Sequence, residues 1–375
     1  MALDVPRIDR SASPADARLG AGGMTAIDIE RSPVVAIWEV TRACDLACRH
    51  CRACAVVERS PRELTGAEAF DLIEQVAELA PGVLVLTGGD PLKRDDIFEI
   101  VARAASRGLR VAVAPSVTPL LTADAIARLA AAGAVRIALS IDAPDAVGHD
   151  SFRGTPGSFA RTLAATAAVR SAGLSLQINT SLTRASAPRL EELGGLVRRI
   201  APELWSVFFV VAVGRARAAD EPAAETCEEA FHFLREFGER TGIAVKTTAA
   251  PAYRRVLAEA ARGRAAGLAK LRLPPPVTDG RGFVFVSHEG EVQPSGFLPI
   301  RAGNVRERRL AEIYRDHPLF RALRDRTRLE GKCGACRYNA ICGGSRARAF
   351  AATGNPLAAD PACAYQPPGY TPAAA

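Results

Sequence analysis

Apolar residues follow two alternating rhythms along most of this chain. Short unbroken apolar runs, which read as buried strands, cover residues 34–40, 83–87, 110–114, 135–141, 175–182, 205–213 and 243–247. Between them, apolar residues recur every three or four positions, the spacing of amphipathic helices. Phe70, Ile73, Val76 and Leu79 form one such face, opened by a capping box of Thr65 and Glu68. Ile97, Ile100, Val101 and Ala104 form the next, which Gly108 stops. Further helices are expected from Thr122, from a Ser158 cap to near Gly173, over residues 190–200, and from a second capping box at Thr226 and Glu229. Strand–helix units of about 25–30 residues imply parallel strands joined by right-handed crossovers. Six of them make a partial (β/α)6 TIM-like barrel, an α/β fold over residues 31–250.

Beyond the barrel the texture changes. Residues 251–276 read as a linker helix running into a Pro-rich boundary at Pro274, Pro275 and Pro276. Residues 283–287 and 291–294, joined by Glu289 and Gly290, read as a β-hairpin opening a small second domain over residues 277–367. Residues 1–30 and 368–375 read as flexible tails. A hydrophobic content of 48% with 24% charged residues suits a globular protein. The net charge of +7 is spread over scattered arginines, which argues against a nucleic-acid partner. No apolar run approaches the ~20 residues a membrane-spanning helix needs. With no secretory h-region either, a cytoplasmic protein with no membrane partner is expected.

Eight of the nine cysteines fall in two groups, which suits thiolates that bind metal in a reducing compartment. Cys44, Cys48 and Cys51 follow the first strand with the spacing C-x3-C-x2-C. An odd count in so short a loop is no disulfide framework. It can wrap either a zinc ion, with Cys54 or His50 as fourth ligand, or a 4Fe–4S cube with one iron left open. Cys333, Cys336 and Cys342, spaced C-x2-C-x5-C, and the later Cys363 suit a second Fe–S or zinc site. Cys54 reads otherwise as a small buried residue. Cys227, placed second in a capped helix, would have a depressed pKa if exposed, but no partner gives it a role.

In a (β/α) barrel, chemistry gathers at the carboxyl ends of the strands. Gly88, Gly89, Asp90 and Pro91 end the second strand, Ser140 and Asp142 the fourth, and Asn179 and Ser181 lie near the end of the fifth. The strings WEVTRACDLACRHCRA and TGGDPL resemble the radical S-adenosylmethionine (SAM) superfamily. That resemblance implies that the open iron chelates SAM, which an electron from the cluster cleaves to a 5′-deoxyadenosyl radical. It also implies that Gly88, Gly89, Asp90 and Pro91 contact the SAM amino group, with Asp90 standing where Glu is commoner. Ser140, Asp142 and Asn179 become candidates for its carboxylate and ribose, and His50 for the adenine.

The second cysteine group resembles the SPASM/Twitch extension of that superfamily, which holds auxiliary 4Fe–4S clusters. A two-cluster extension has a further cysteine in the hairpin region, where this chain has Ser295. One auxiliary cluster is therefore expected, making two 4Fe–4S clusters in all. The strings SFRGTPGSF, PSGFLP, GNVRE and CGGSRARAFAATG narrow the resemblance to the radical SAM enzymes of alternative haem and haem d biosynthesis. The implied substrate is a tetrapyrrole whose propionate side chain is decarboxylated or removed, with a flavodoxin or ferredoxin as electron donor. A peptide substrate is the alternative the resemblance leaves open. Arg153, in the FRG string after the fourth strand, and the arginines crowding the second domain, Arg346 among them, are the candidates for propionate carboxylates, a pairing that suits the bidentate guanidinium, with a solvated basic face the alternative for most of the second-domain ones.

Overall fold

The computed structural model describes residues 27–262 and 277–371. The boundary expected at Pro274, Pro275 and Pro276 lies outside them. Strands β1 (Val35–Glu39), β2 (Val83–Thr87), β3 (Val111–Val113), β4 (Ala134–Ser140), β5 (Ser175–Leu182), β6 (Leu204–Phe209) and β7 (Ala244–Thr248) run parallel, each paired with the next. Helices α1 (Gly66–Leu79), α2 (Ile97–Ser106), α3 (Ala123–Ala131), α4 (Ala146–Arg153), α5 (Ser158–Ser171), α6 (Leu190–Ile200), α7 (Ala224–Thr241) and α8 (Tyr253–Arg262) alternate with them. Their inward faces pack on the sheet through side chains such as Leu72, Ile100, Ile126, Val169, Val197 and Leu234. Such two-sided burial is why the strands read as continuous apolar runs.

The chain then adds β8 (Phe283–Val286), β9 (Glu291–Gln293) and β10 (Gly303–Asn304), followed by α9 (Leu310–Asp316), α10 (Pro318–Arg324), α11 (Gly331–Gly334) and α12 (Arg346–Thr353). The expected hairpin is present as the antiparallel pair β8–β9. It is not a separate sheet. β8 lies parallel to β1 on the side opposite β2, with Val35 facing Val83 in one direction and Phe283 in the other. One ten-stranded sheet results, in the order β10-β9-β8-β1-β2-β3-β4-β5-β6-β7, and it stays open.

Several local expectations shift. Thr65 and Glu68 form the capping box, but the buried face of α1 is Ala69, Leu72, Ile73, Val76 and Leu79, and Phe70 turns outward, 37% exposed. Ser158 does not cap α5. The carboxylate of Asp150, on the unforeseen helix α4, accepts hydrogen bonds from the Gly157 and Phe159 N–H groups at 2.6 and 2.7 Å and supplies the cap from outside. Thr226 and Glu229 fall inside α7, which begins after Ala223 with no side-chain cap. Cys227 is therefore a buried residue of that helix, and burial pushes its thiol up to about 12, the reverse of an activated cysteine. β6 ends at Phe209, four residues before the apolar run does, and the remainder turns into the wall of a cavity.

Candidate metal and cofactor site

The loop after β1 is closed at its base by two backbone hydrogen bonds, from Cys44 N–H to the Val56 carbonyl at 2.7 Å and from Val56 N–H to the Arg42 carbonyl at 3.1 Å. Inside this ring Cys44 and Cys48 are buried and Cys51 is half-buried. Each sulfur faces a donor. Leu46 N–H points at Cys44 Sγ and Ala55 N–H at Cys51 Sγ, both at 3.4 Å, and the Arg153 guanidinium reaches Cys48 Sγ at 3.7 Å. Donors aimed at sulfur favour the thiolate, the form that ligates metal. Without a metal, burial pushes the Cys44 and Cys48 thiols above their usual range, so deprotonation there is work for a bound cation.

Two neighbouring segments hold the loop in place. The Gly89 N–H donates to the Thr41 carbonyl at 2.8 Å and the Asp90 N–H to the Ala43 carbonyl at 2.6 Å. A Cβ on Gly89 would lie 2.3 Å from the Ala43 oxygen, and one on Gly88 would lie 2.4 Å from the Thr41 oxygen. Neither glycine has positive φ. Their smallness lets the end of β2 press against the cysteine loop. The second segment escaped the sequence reading. Arg215 N–H donates to the Cys51 carbonyl at 3.1 Å, and its guanidinium to the carbonyls of Cys48, at 3.2 Å, and Ala55. Gly214 packs so closely that a Cβ would meet the Cys51 oxygen at 2.4 Å. The only signal was a Gly-Arg pair just past a strand end.

A cavity of about 240 Å³ opens over the three thiols at the carboxyl ends of β2 to β6. Of the expected cofactor contacts, Gly88, Gly89, Ser140, Asn179 and His50 line it. His50 stacks on Phe152 at 4.2 Å with a buried, unpartnered Nδ1 aimed at no protein group, and burial, then the charge of Arg153, lowers its pKa to about 4. Asp90, Pro91 and Asp142 do not line the cavity. The Asp90 carboxylate is fully buried and accepts hydrogen bonds from Leu92 N–H and the Thr118 hydroxyl, which makes it a brace behind the wall. Asp142 accepts from the Ser181 N–H and from Arg153, both at 2.7 Å. Burial alone would raise its pKa, but Arg153, His50 and His149 outweigh it and hold the carboxyl below its usual range. The outer wall is apolar, built from Phe208, Val210, Val211, Val213 and Phe297.

The second cysteine set also converges. Cys333, Cys336, Cys342 and Cys363 line one small enclosed cavity beneath α8. Asp360 N–H points at Cys333 Sγ, Tyr338 N–H at Cys336 Sγ and Gly344 N–H at Cys342 Sγ, each at 3.4 Å. Burial pushes Cys342 up to about 12; burial and then Asp360 push Cys363 up to about 11. Among the described residues no three His, Cys, Asp or Glu side chains are drawn tightly enough together for a single metal ion. A zinc ion holds its sulfurs about 2.3 Å from one centre. Three thiols lining one cavity and four lining the other are ligand sets that a multi-iron group can use, its ligands attaching to separate irons.

Arg346 and Arg153 are both committed within the protein. Arg346 is fully buried and donates to the carbonyls of Gly344, Pro356 and Ala358 and to Cys333 Sγ. Arg153 is paired with Asp142. Most of the other second-domain arginines form ordinary pairs, such as Arg306 with Glu68 and Arg308 with Glu312. Ser295 is buried, and its hydroxyl donates to Asp279.

An open parallel (β/α) sheet with a three-cysteine loop at its carboxyl edge and a four-cysteine site beside it defines an iron–sulfur enzyme built on a partial barrel. This chain belongs to the radical SAM superfamily: residues 38–183 match that superfamily and residues 278–337 match the SPASM iron–sulfur cluster-binding domain. The chain is 38% identical over 342 residues to an AdoMet-dependent heme synthase of Nitratidesulfovibrio vulgaris, covering 89% of this chain and 93% of that protein. It is 31% identical over 341 residues to a PqqA peptide cyclase of Methylocella silvestris, covering 90% and 88%. Its fold is similar to that of Streptococcus suis SuiB bound to precursor peptide SuiA, with a TM-score of 0.68 and 16% identity over 89% of this chain and 76% of that one. It is accordingly a radical SAM enzyme, with the 4Fe–4S clusters and AdoMet binding that these domains imply. No described helix is long and apolar enough to cross a membrane.

Proposed function

We propose that this enzyme acts on a propionate side chain of a tetrapyrrole, decarboxylating it or removing it. The observation that carries this reading is the 38% identity, over nearly the whole of both chains, to an AdoMet-dependent heme synthase. In this reading Cys44, Cys48 and Cys51 hold one 4Fe–4S cluster and Cys333, Cys336, Cys342 and Cys363 a single auxiliary one. Ser295 supports the count, since its hydroxyl is spent on Asp279 and no thiol lies between Cys227 and Cys333. The cluster with bound AdoMet supplies a carbon radical able to take a hydrogen atom from an unactivated position. The chain's own residues do the rest. Arg215 and the glycine pair fix the loop, Arg153 holds Cys48, and His50, Ser140 and Asn179 face the cofactor cavity. The apolar wall of Phe208, Val211, Val213 and Phe297 suits a flat apolar ring. A flavodoxin or ferredoxin is the electron donor in this reading. A cytoplasmic setting goes with it, since thiolates that ligate clusters suit a reducing compartment.

Iron-coproporphyrin or a sirohaem derivative, titrated into the anaerobic protein, should shift its Soret band at micromolar concentration. Phe297→Ala should weaken that binding about 10-fold or more, the loss of roughly 1.4 kcal/mol, with AdoMet binding unchanged. A second reading, a peptide-modifying enzyme, draws on the 31% identity to a PqqA peptide cyclase. An unmoved Soret band, with 5′-deoxyadenosine formed only when a peptide is supplied, would replace the first reading by this one.

A further inference from the structure

Each cysteine site places one guanidinium against one sulfur at nearly the same distance, Arg153 on Cys48 at 3.7 Å and Arg346 on Cys333 at 3.6 Å. What stands behind the two guanidinium groups differs. Arg153 is backed by the Asp142 carboxylate, so the sulfur meets a cation already neutralised. Arg346 is backed only by the carbonyls of Gly344 at 3.2 Å, Pro356 at 3.0 Å and Ala358 at 2.7 Å. Among the described residues no carboxylate forms an ion pair with it. Asp360, the acid beside this site, pairs with Arg348. Arg346 is wholly shielded from water.

A buried cation with no counter-ion is costly, and folding tolerates one where a negative group binds next to it. The group within reach of Arg346 is the Cys333 sulfur. A second guanidinium, that of the half-buried Arg326, lies against Gly343 just past Cys342, where a Cβ would meet its Nη1 at 1.9 Å. Its bonded partner is the neutral Thr278 hydroxyl, at 3.1 Å. Positive charge and N–H donors at cluster sulfurs favour the reduced, more negative state and so raise the potential.

We propose that Arg346 is a positioning residue that acts through Cys333, setting the reduction potential of the auxiliary cluster high by holding an unneutralised positive charge against its sulfur. Arg326 adds to the same field from the Cys342 side. The auxiliary site thereby becomes the one that takes up an electron readily, while the neutralised Arg153 leaves the first site's potential low. This rests on the reading that both cysteine sets carry 4Fe–4S clusters, and is independent of whether the substrate is a tetrapyrrole or a peptide.

The test is a potentiometric titration of the anaerobically reconstituted full-length protein, followed by electron paramagnetic resonance with iron counted in every sample. Arg346→Gln should keep both clusters and lower the auxiliary midpoint by at least a tenfold change in the reduction equilibrium, 59 mV for one electron. Arg346→Lys, which keeps the charge, should recover most of that shift, and the first cluster's midpoint should stay put in both. A fully loaded Arg346→Gln protein with the wild-type auxiliary midpoint would overturn the proposal, as would loss of auxiliary iron from both variants, which would make Arg346 a cluster-holding residue. A wild-type protein showing one cluster signal would instead remove the two-cluster reading beneath it.

Discussion

Single residues in the first site are constrained more by contact with the cysteine loop than by contact with a ligand. Gly89 is the sharpest case. A Cβ there would collide with the backbone oxygens of Ala43 and Arg42 at 2.3 and 2.6 Å, and backbone cannot swing aside. Gly89→Ala should therefore push the end of β2 off the loop and cost about 1–3 kcal/mol, as overpacking does. Since Ala43 adjoins Cys44, the variant should melt lower and reconstitute with less iron, read by thermal unfolding and iron assay. Normal iron and melting with weaker AdoMet binding would give the glycine back a direct ligand role. The glycine pair was legible as a mark of the site, because it ends the strand that follows the cysteine loop. What presses against it was not legible. The same limit applies to Arg153, whose partners Asp142 and Cys48 lie 11 and 105 residues away in the chain. A guanidinium's neighbours decide whether it can receive a substrate carboxylate, and neighbours that distant leave no local pattern.

Among the elements, α1 shows how a local motif is recruited by a distant one. The Thr65 and Glu68 capping box was readable because both partners sit in one helical turn. Its further partner was not. Arg306 donates to both Glu68 oxygens from 238 residues away, and also to the carbonyls of Arg62, Glu63 and Glu289, pinning the turn after β10 onto α1. The hydrogen bond from Arg306, then that from the Thr65 N–H, lowers the Glu68 pKa from 4.5 to about 2. A depressed folded-state pKa gives stability that is complete above the unfolded value and lost as pH falls through the folded one. The contribution should thus be whole near pH 7 and shrink between 4.5 and about 2. Solvent screening at this exposed pair keeps it small. Urea midpoints of wild type and Glu68→Gln should differ most at pH 7 and converge as pH drops toward 3. A constant gap would mean that Glu68 acts through packing. The Thr226 and Glu229 pair carries the same local signature inside α7 and caps nothing, so the motif alone does not locate a helix start.

At the scale of the whole molecule, the texture change near residue 276 reads as a boundary between two domains, yet the sheet runs across it. β1 carries the cysteine loop at its end and is paired on both edges, with β2 on one side and β8 on the other. Further ties cross the same seam. Glu39, the last residue of β1, pairs with Arg52 beside Cys51 and with His288, which follows β8, at 2.9 Å. Tyr314 on α9 donates its hydroxyl to the Ile29 carbonyl at 2.6 Å and accepts from the Gly282 N–H. Parallel pairing between strands so far apart in sequence leaves no periodicity to read, which is why the barrel was visible in the apolar runs and its continuation was not. The structure implies one cooperative unit. A chain ending at residue 262 would expose the inner edge of β1, with its unpaired N–H and C=O groups, along with the apolar side chains that Val284, Val286 and Tyr314 cover. Such a truncation should aggregate or fail to bind iron at the first cysteine site, although Cys44, Cys48 and Cys51 are all present. For the intact protein, with its iron and sulfide either loaded or removed, near- and far-ultraviolet dichroism should follow one coincident urea transition. Two separated transitions, the earlier removing only iron bound at the second cysteine site, would show that β8 is laid against a barrel able to stand without it, and the truncated chain would then fold and bind AdoMet by itself.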